Sequence, residues 1–264
     1  MRSAVPAVLS LVSVSVTEAV RDKLFSVLGF FAVGLVLLSI VLSQLALGWP
    51  ARIVADLAFA SVSIVGTVAA AALPVRFVGN DFQRRTLYPI LCRPNPRAVY
   101  LLGRYLGIVG AIALLTVGMW AMTLGAILLA TRDGGPQITL GETTLYCAFA
   151  CVRFAIVAAV ALLLLSVAST TLAFVGSLSF AVAAHASADV NRLLSQSDSE
   201  GVRFIGRALH TALPDFTALN PLAAMVHDAP MWSPALGAAL VYGALYALAL
   251  LLAATVCFEK RDLA

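Results

Sequence analysis

The chain has 264 residues, of which 61% are hydrophobic and 11% are charged, and its mean hydropathy is +0.99. Because so little polar surface cannot cover a water-soluble globule, the composition predicts an all-α integral membrane protein. The net charge of +4 does not indicate nucleic-acid binding, since the basic residues lie in loops beside apolar runs and not along one soluble face.

Residues 1–23 predict a helix at the membrane surface. Apolar side chains recur at helical spacing, with serines and Arg21 on the opposite face. The apolar positions are Val5, Val8, Leu9, Val12, Val16, Ala19 and Val20. The Val-Ser alternation over 12–16 would also fit a strand, and a secretory signal cleaved near Ser13 and Ser15 is a second alternative. Cleavage would export Arg21, so we expect an amphipathic helix in the cytoplasmic interface.

Five apolar runs follow, and one of them is twice as long as a single crossing needs. A helix that spans the hydrocarbon layer takes about 20 apolar residues, so the run 145–186 is expected to fold back near 166–171, where hydroxyl groups cluster. The predicted spans are 24–47, 53–75, 101–130, 145–166, 171–186 and 235–258. Six spans place both termini on one side of the membrane, and basic residues at both ends, including Lys23 and Lys260, predict that this side is cytoplasmic.

The predicted inner loop, residues 76–100, is strongly basic. From Arg76 to Arg104 the chain carries six arginines and one acid, a charge pattern that is typical of the cytoplasmic side. Asn80 or Asp81 is expected to cap a short amphipathic helix that ends before Pro94. Such a helix suits docking into a groove of a soluble protein, whereas a cytoplasmic loop without any partner would have the same composition.

The predicted outer loop, residues 187–234, is long for a connector. Segments 189–194 and 202–213 are expected to form a helical hairpin that caps the outer mouth or dips back between the spans. The three histidines, His185, His210 and His227, lack the spacing of a two-His helical pair, so the sequence predicts no metal site.

The cysteines indicate neither a disulfide framework nor a zinc site. Cys92, Cys147, Cys151 and Cys257 have neither disulfide nor zinc spacing, and three of them lie in apolar runs. We interpret them as small packing residues.

One charged residue lies inside a predicted span. Arg153 is placed roughly two turns into the fourth span, where an unpaired charge costs at least about 2.5 kcal/mol. Asp56 lies at a comparable predicted depth in the second span and is the expected partner. The two residues predict either a salt bridge between helices or a place in a substrate pathway.

Several short motifs occur in an ordered series. The inner loop carries Asp81, Arg85-Thr86-Leu87-Tyr88, Pro94, Arg97 and Gly103-Arg104. The C-terminal part carries Leu213-Pro214-Asp215-Phe216, Asn220, Tyr242, Tyr246 and the segment 258–262. In this order and spacing the chain resembles an ABC-2 type permease, the membrane subunit of ABC exporters with the type V exporter fold. An aspartate where glutamate is common and an extra Pro89 depart from that pattern.

The resemblance implies an elbow helix in residues 1–23 and a coupling helix in the inner loop. It implies that a cytoplasmic ABC ATPase subunit docks on Asp81, Arg84, Arg85, Thr86 and Arg93. Two permease subunits, identical or paralogous, would assemble with two ATPases in the lipid membrane. ATP and magnesium would bind to the partner, because this chain has no phosphate-binding loop and its only lysines are Lys23 and Lys260.

Two other functions share this topology. One is a membrane anchor or assembly subunit that transports nothing. The other is an intramembrane enzyme, for which Gly176-Ser-Leu-Ser179 beside His185 is the nearest approach to a nucleophile and a base.

Composition also bears on the cargo and the location. The apolar spans favour a lipidic or amphipathic cargo. The excess of arginine over lysine is typical of a GC-rich bacterium, and this predicts the bacterial plasma membrane as the location.

Overall fold

The protein is a bundle of long helices. The computed structural model describes residues 4–44, 50–83, 97–130, 139–196, 199–221 and 234–260. The helices are α1 (Ala4–Arg21), α2 (Lys23–Gln44), α3 (Pro50–Gln83), α4 (Arg97–Ala130), α5 (Leu140–Val167), α6 (Thr170–Ser195), α7 (Glu200–Ala212) and α8 (Pro234–Lys260).

Six of these helices, α2 to α6 and α8, are long and apolar enough to cross a membrane. The predicted count of six spans is confirmed, and the chain is a multi-pass membrane protein. The fold-back inside the longest apolar run is confirmed as well, because α5 ends at Val167 and α6 begins at Thr170. Ser169 caps the new helix by accepting a hydrogen bond from the backbone N–H of Leu172.

The fourth span begins earlier than predicted. Thr139 and Glu142 form a capping box in which each side chain accepts a hydrogen bond from the other residue's backbone N–H. This cap starts α5 at Leu140, about a turn and a half before the predicted start at residue 145.

The helix of the second span extends beyond the predicted run 53–75. α3 continues past Pro74 and Arg76 to Gln83, so Asn80 and Asp81 lie inside the helix and do not cap a new one. Ion pairs neutralise the two charges that suggested an end, Arg76 and Asp81. The rest of the predicted coupling helix, from Arg84 to Pro94, lies outside the described residues.

The predicted outer loop, residues 187–234, also differs in part from the structure. Residues 189–194 are the last turns of α6, which runs to Ser195, and are not a separate helix. The second predicted helix is confirmed as α7, and Gly206 of α7 packs closely against Leu194 of α6.

Small residues set the closest helix contacts. A Cβ atom added at Gly103 would lie 2.8 Å from Leu11 Cβ, and one added at Gly107 would lie 2.4 Å from Ser15 Cβ. α1 therefore runs alongside the first turns of α4, with a spacing of four residues between the two contacts. Whether α1 lies in the membrane interface stays a prediction.

The core of the bundle lies around α5, the most buried of the six spans. α5 packs closely on α3, because a Cβ atom at Gly66 would lie 2.0 Å from Phe154 Cζ. The Tyr146 hydroxyl donates to the Phe59 carbonyl at 2.8 Å. Phe59 precedes Gly66 in α3, and its partner Tyr146 likewise precedes Phe154 in α5. The two helices therefore run parallel, and the two contacts fix their register.

Candidate functional site

A cluster of charges joins three helices at one end of the bundle. We call it the basal charge cluster, and its members are Glu18, Asp22, Arg76, Asp81, Tyr100 and Arg104. Arg104 is its centre: Nη2 donates to Asp81 Oδ2 at 2.6 Å, and Nη1 donates to Glu18 Oε2 at 2.5 Å. The Arg104 side chain is 10% exposed, so water screens its charge little.

Asp81 lies between two donors. The Tyr100 hydroxyl donates to Asp81 Oδ2 at 2.5 Å, on the same oxygen that Arg104 contacts. Tyr100 and Arg104 are one helical turn apart on α4, which places both groups on the face towards α3. Asp81 thereby joins the last turn of α3 to the first turns of α4.

A second ion pair holds the junction between α1 and α2. Asp22 Oδ1 accepts a hydrogen bond from the Leu24 backbone N–H at 2.7 Å, which caps α2. Its other oxygen accepts a hydrogen bond from Arg76 Nε at 2.8 Å. The corner between the two helices is thus attached to α3.

The structure describes one of the five predicted docking residues. Asp81 lies in the basal charge cluster with a side chain that is 17% exposed, and its carboxylate faces other helices of the same chain. The other four, Arg84, Arg85, Thr86 and Arg93, lie outside the described residues. Docking of an ATPase on this loop stays a prediction, and the described contacts give Asp81 a role in holding the two ends of the loop together.

A second site lies in the middle of the bundle, around Arg153. Its side chain is buried, with 2% of the residue exposed. The guanidinium carbon lies 5.4 Å from the centre of the Tyr146 ring, and Nη1 lies 3.5 Å from His185 Nε2. The His185 ring also makes an edge-to-face contact with the Phe216 ring, with ring centres 5.1 Å apart.

The expected salt bridge between Arg153 and Asp56 is not formed among the described residues. Asp56 lies about ten residues before Gly66, which is level with Phe154, so it is about 15 Å away along α3. The capping box lengthens α5 at its start, and Arg153 is consequently deeper than the sequence indicated. Asp56 itself is exposed.

A groove between α3 and α6 reaches this second site. Its volume is about 580 Å³, and its lining includes Ser63, Ile64, Thr67, Val182 and His185. Ile64 and Val182 are exposed, so the groove opens on the outer surface of the bundle. We call it the α3–α6 groove, and its volume is in the range of small-molecule sites.

Comparison with known proteins assigns this chain to no family. No protein-family model matches the chain, and no curated protein matches it. What the protein does is therefore inferred from its own residues and from the resemblance of its motifs.

Several residues of these sites escaped sequence analysis. Asp22 and Tyr100 were not singled out, although each lies near a helix end where a charged or hydroxyl group can join neighbouring helices. His185 was grouped with the outer-loop histidines, but it lies in α6 against Arg153. The motif that contains Phe216 was noted only for its resemblance, and it packs on this histidine.

Proposed function

We infer that this chain is the membrane-spanning permease subunit of an ATP-driven exporter. The proposal is supported by six membrane-length helices, by the resemblance of the motifs, and above all by the basal charge cluster. That cluster encloses the basic segment 84–96 between two residues that are bonded to each other, Asp81 and Arg104.

The cluster suits the transmission of force. A partner that moves segment 84–96 pulls on the last turn of α3 and the first turns of α4. Because Asp81 and Arg104 hold these turns together, both helices move as one unit. Glu18 and Asp22 extend that unit to α1 and to the start of α2. A push on one loop would thus shift half of the bundle, which is what coupling to an ATPase requires.

The transported molecule would move along the α3–α6 groove. α3 belongs to the unit that the cluster holds, whereas α6 carries none of the cluster's residues. Movement of α3 relative to α6 would widen or narrow the groove. In a pair of permease subunits, identical or paralogous, the two grooves would be able to face a common pathway.

The remaining components follow from the chain's chemistry. The sequence has no phosphate-binding loop, so ATP and magnesium would be held by a cytoplasmic ABC ATPase subunit. Both termini and segment 84–96 would lie on the cytoplasmic side of a bacterial plasma membrane, because basic loops resist translocation.

The test is purification of the tagged chain from its native membrane in mild detergent, with mass spectrometry of proteins recovered in stoichiometric amounts. We expect a soluble subunit that carries a phosphate-binding loop, and we expect Arg85→Glu to lose it. Arg132→Glu is the matched control, because it reverses one charge in a loop predicted on the opposite face and should retain the partner.

Two results would contradict the proposal. Recovery of the chain without any ATPase, even after crosslinking, would exclude an ATP-driven exporter. Recovery of the ATPase without ATP-dependent flux of any amphiphile in proteoliposomes would instead favour an anchor or assembly subunit.

A further inference from the structure

Among the residues that the structure describes, no anion faces the Arg153 guanidinium. Its Nε and Nη2 atoms have no hydrogen-bond partner in the part of the chain that the structure describes. His185 Nδ1 donates to the Ala181 carbonyl at 2.9 Å, which leaves Nε2 as the acceptor of a neutral imidazole towards Arg153 Nη1. The described surroundings of the guanidinium thus provide a lone pair and the π face of Tyr146, but no negative charge.

The depth of Arg153 makes this arrangement costly. Arg153 lies about 20 Å from each end of α5, close to the middle of a membrane-spanning helix. A charge at the centre of a bilayer costs at least about 2.5 kcal/mol, and such residues commonly mark the path of a substrate. Resident lipids keep their headgroups at the membrane surfaces, so they do not supply an anion at this depth.

The α3–α6 groove provides the apolar half of a binding site at the same depth. Ile64 and Val68 of α3 face Leu178 and Val182 of α6 across it. His185 lines the groove and is also the residue that contacts Arg153. One exposed imidazole therefore separates the apolar surface from the buried guanidinium.

We propose that the α3–α6 groove binds an amphiphile with an acidic headgroup, a carboxylate or a phosphate, and that Arg153 recognises this headgroup. The chain of the ligand lies along the apolar side chains. Rotation of His185 away from Arg153 exposes Nη1 and Nη2, which donate to two oxygens of the headgroup. That this amphiphile is the exported cargo rests on the proposed function, whereas its binding to the chain does not.

The experiment compares two probes that differ only in charge, cis-parinaric acid and its methyl ester. Each is titrated by fluorescence into the purified full chain in a neutral detergent, at mildly alkaline pH where the carboxylic acid is ionised. We expect the acid to bind about tenfold or more tightly than the ester, the ratio that a charge-assisted hydrogen-bonded pair provides. Inorganic phosphate alone should not displace the acid, because it has no apolar chain.

Three variants locate the binding. Arg153→Gln should bring the affinity for the acid down to that for the ester, and the ester should bind as before. Val182→Trp fills the groove and should weaken both probes, whereas Leu245→Trp makes the same change on an exposed position of α8 and should weaken neither. Because Arg153 has no described counter-charge to lose, Arg153→Gln should not lower the melting temperature, so the variant is expected to fold.

The outcomes separate this inference from the proposed function. Equal affinity for acid and ester in the native chain would overturn the inference that the groove binds an acidic amphiphile. Full binding of the acid by Val182→Trp, or displacement of the acid by inorganic phosphate alone, would overturn it as well. None of these results would affect recovery of the ATPase. Failure to recover an ATPase would remove the export role and leave a measured preference for the acid in place.

Discussion

The ion pair between Asp81 and Arg104 should contribute measurable stability, and a double-mutant cycle isolates that contribution. The two side chains are 17% and 10% exposed, and their atoms approach to 2.6 Å. A hydrogen bond between charged groups at such a site contributes about 2 kcal/mol. For a chain of this size, 1 kcal/mol corresponds to about 2–4 °C in melting temperature, so the coupling amounts to about 4–8 °C.

The variants are Asp81→Asn, Arg104→Met and both together. We expect Asp81→Asn to cost about 2 kcal/mol and Arg104→Met about 3 kcal/mol, because the second change also leaves Glu18 without its partner. The double variant should lose only about 3 kcal/mol in total, since the pair can be lost only once. Glu18→Gln is the control, and it should cost less than about 1 kcal/mol because the Glu18 side chain is 44% exposed.

Thermal unfolding in detergent, followed with a thiol-reactive dye, measures these shifts. The chain supplies its own reporters, because Cys147 is buried and Cys151 and Cys257 are half-buried in the folded state. Additive losses, with a coupling below about 0.5 kcal/mol, would refute the conclusion that Asp81 and Arg104 hold α3 and α4 together.

Two further predictions concern glycines, with Gly118 as the control because a Cβ atom there meets nothing within 4 Å. Gly66→Ala should lower the melting temperature by about 5–10 °C, since the new Cβ would lie 2.0 Å from the buried ring of Phe154; a shift no larger than that of Gly118→Ala would contradict the packing of α3 on α5. Gly107→Ala should displace α1, because its Cβ would lie 2.4 Å from that of Ser15, and trypsin should then cleave after Arg21 several-fold faster than in Gly118→Ala. Unchanged cleavage would show that α1 does not depend on this contact.

Composition and hydrophobic length determined the architecture of this protein, because a bilayer accepts only helices whose backbone groups are satisfied internally. For the same reason the fold-back at 166–171 was predictable: an apolar run of twice the crossing length has to turn where hydroxyl groups can cap new helix ends. The length of α5 was harder to predict from the sequence, since its capping box lies in a polar stretch outside the apolar run.

The helix ends next to charged residues were predicted least well. Arg76 and Asp81 suggested an end of the second span because charges avoid the membrane, yet α3 continues through both. Their partners, Asp22 and Arg104, are 54 and 23 residues away in the chain. No local pattern shows that such a charge is neutralised, so the length of α3 depends on contacts that exist only in the folded bundle.

The sequence by itself determined that Arg153 lies within an apolar run of membrane-spanning length, since this is a local property. Only the tertiary structure decided what surrounds it. The parallel register of α3 and α5, set by Gly66 against Phe154, separates Asp56 from Arg153, and the course of α6 brings His185 to it instead. Periodicity and charge act within one helix, whereas the partner of a buried charge is fixed by how several helices pack at one depth.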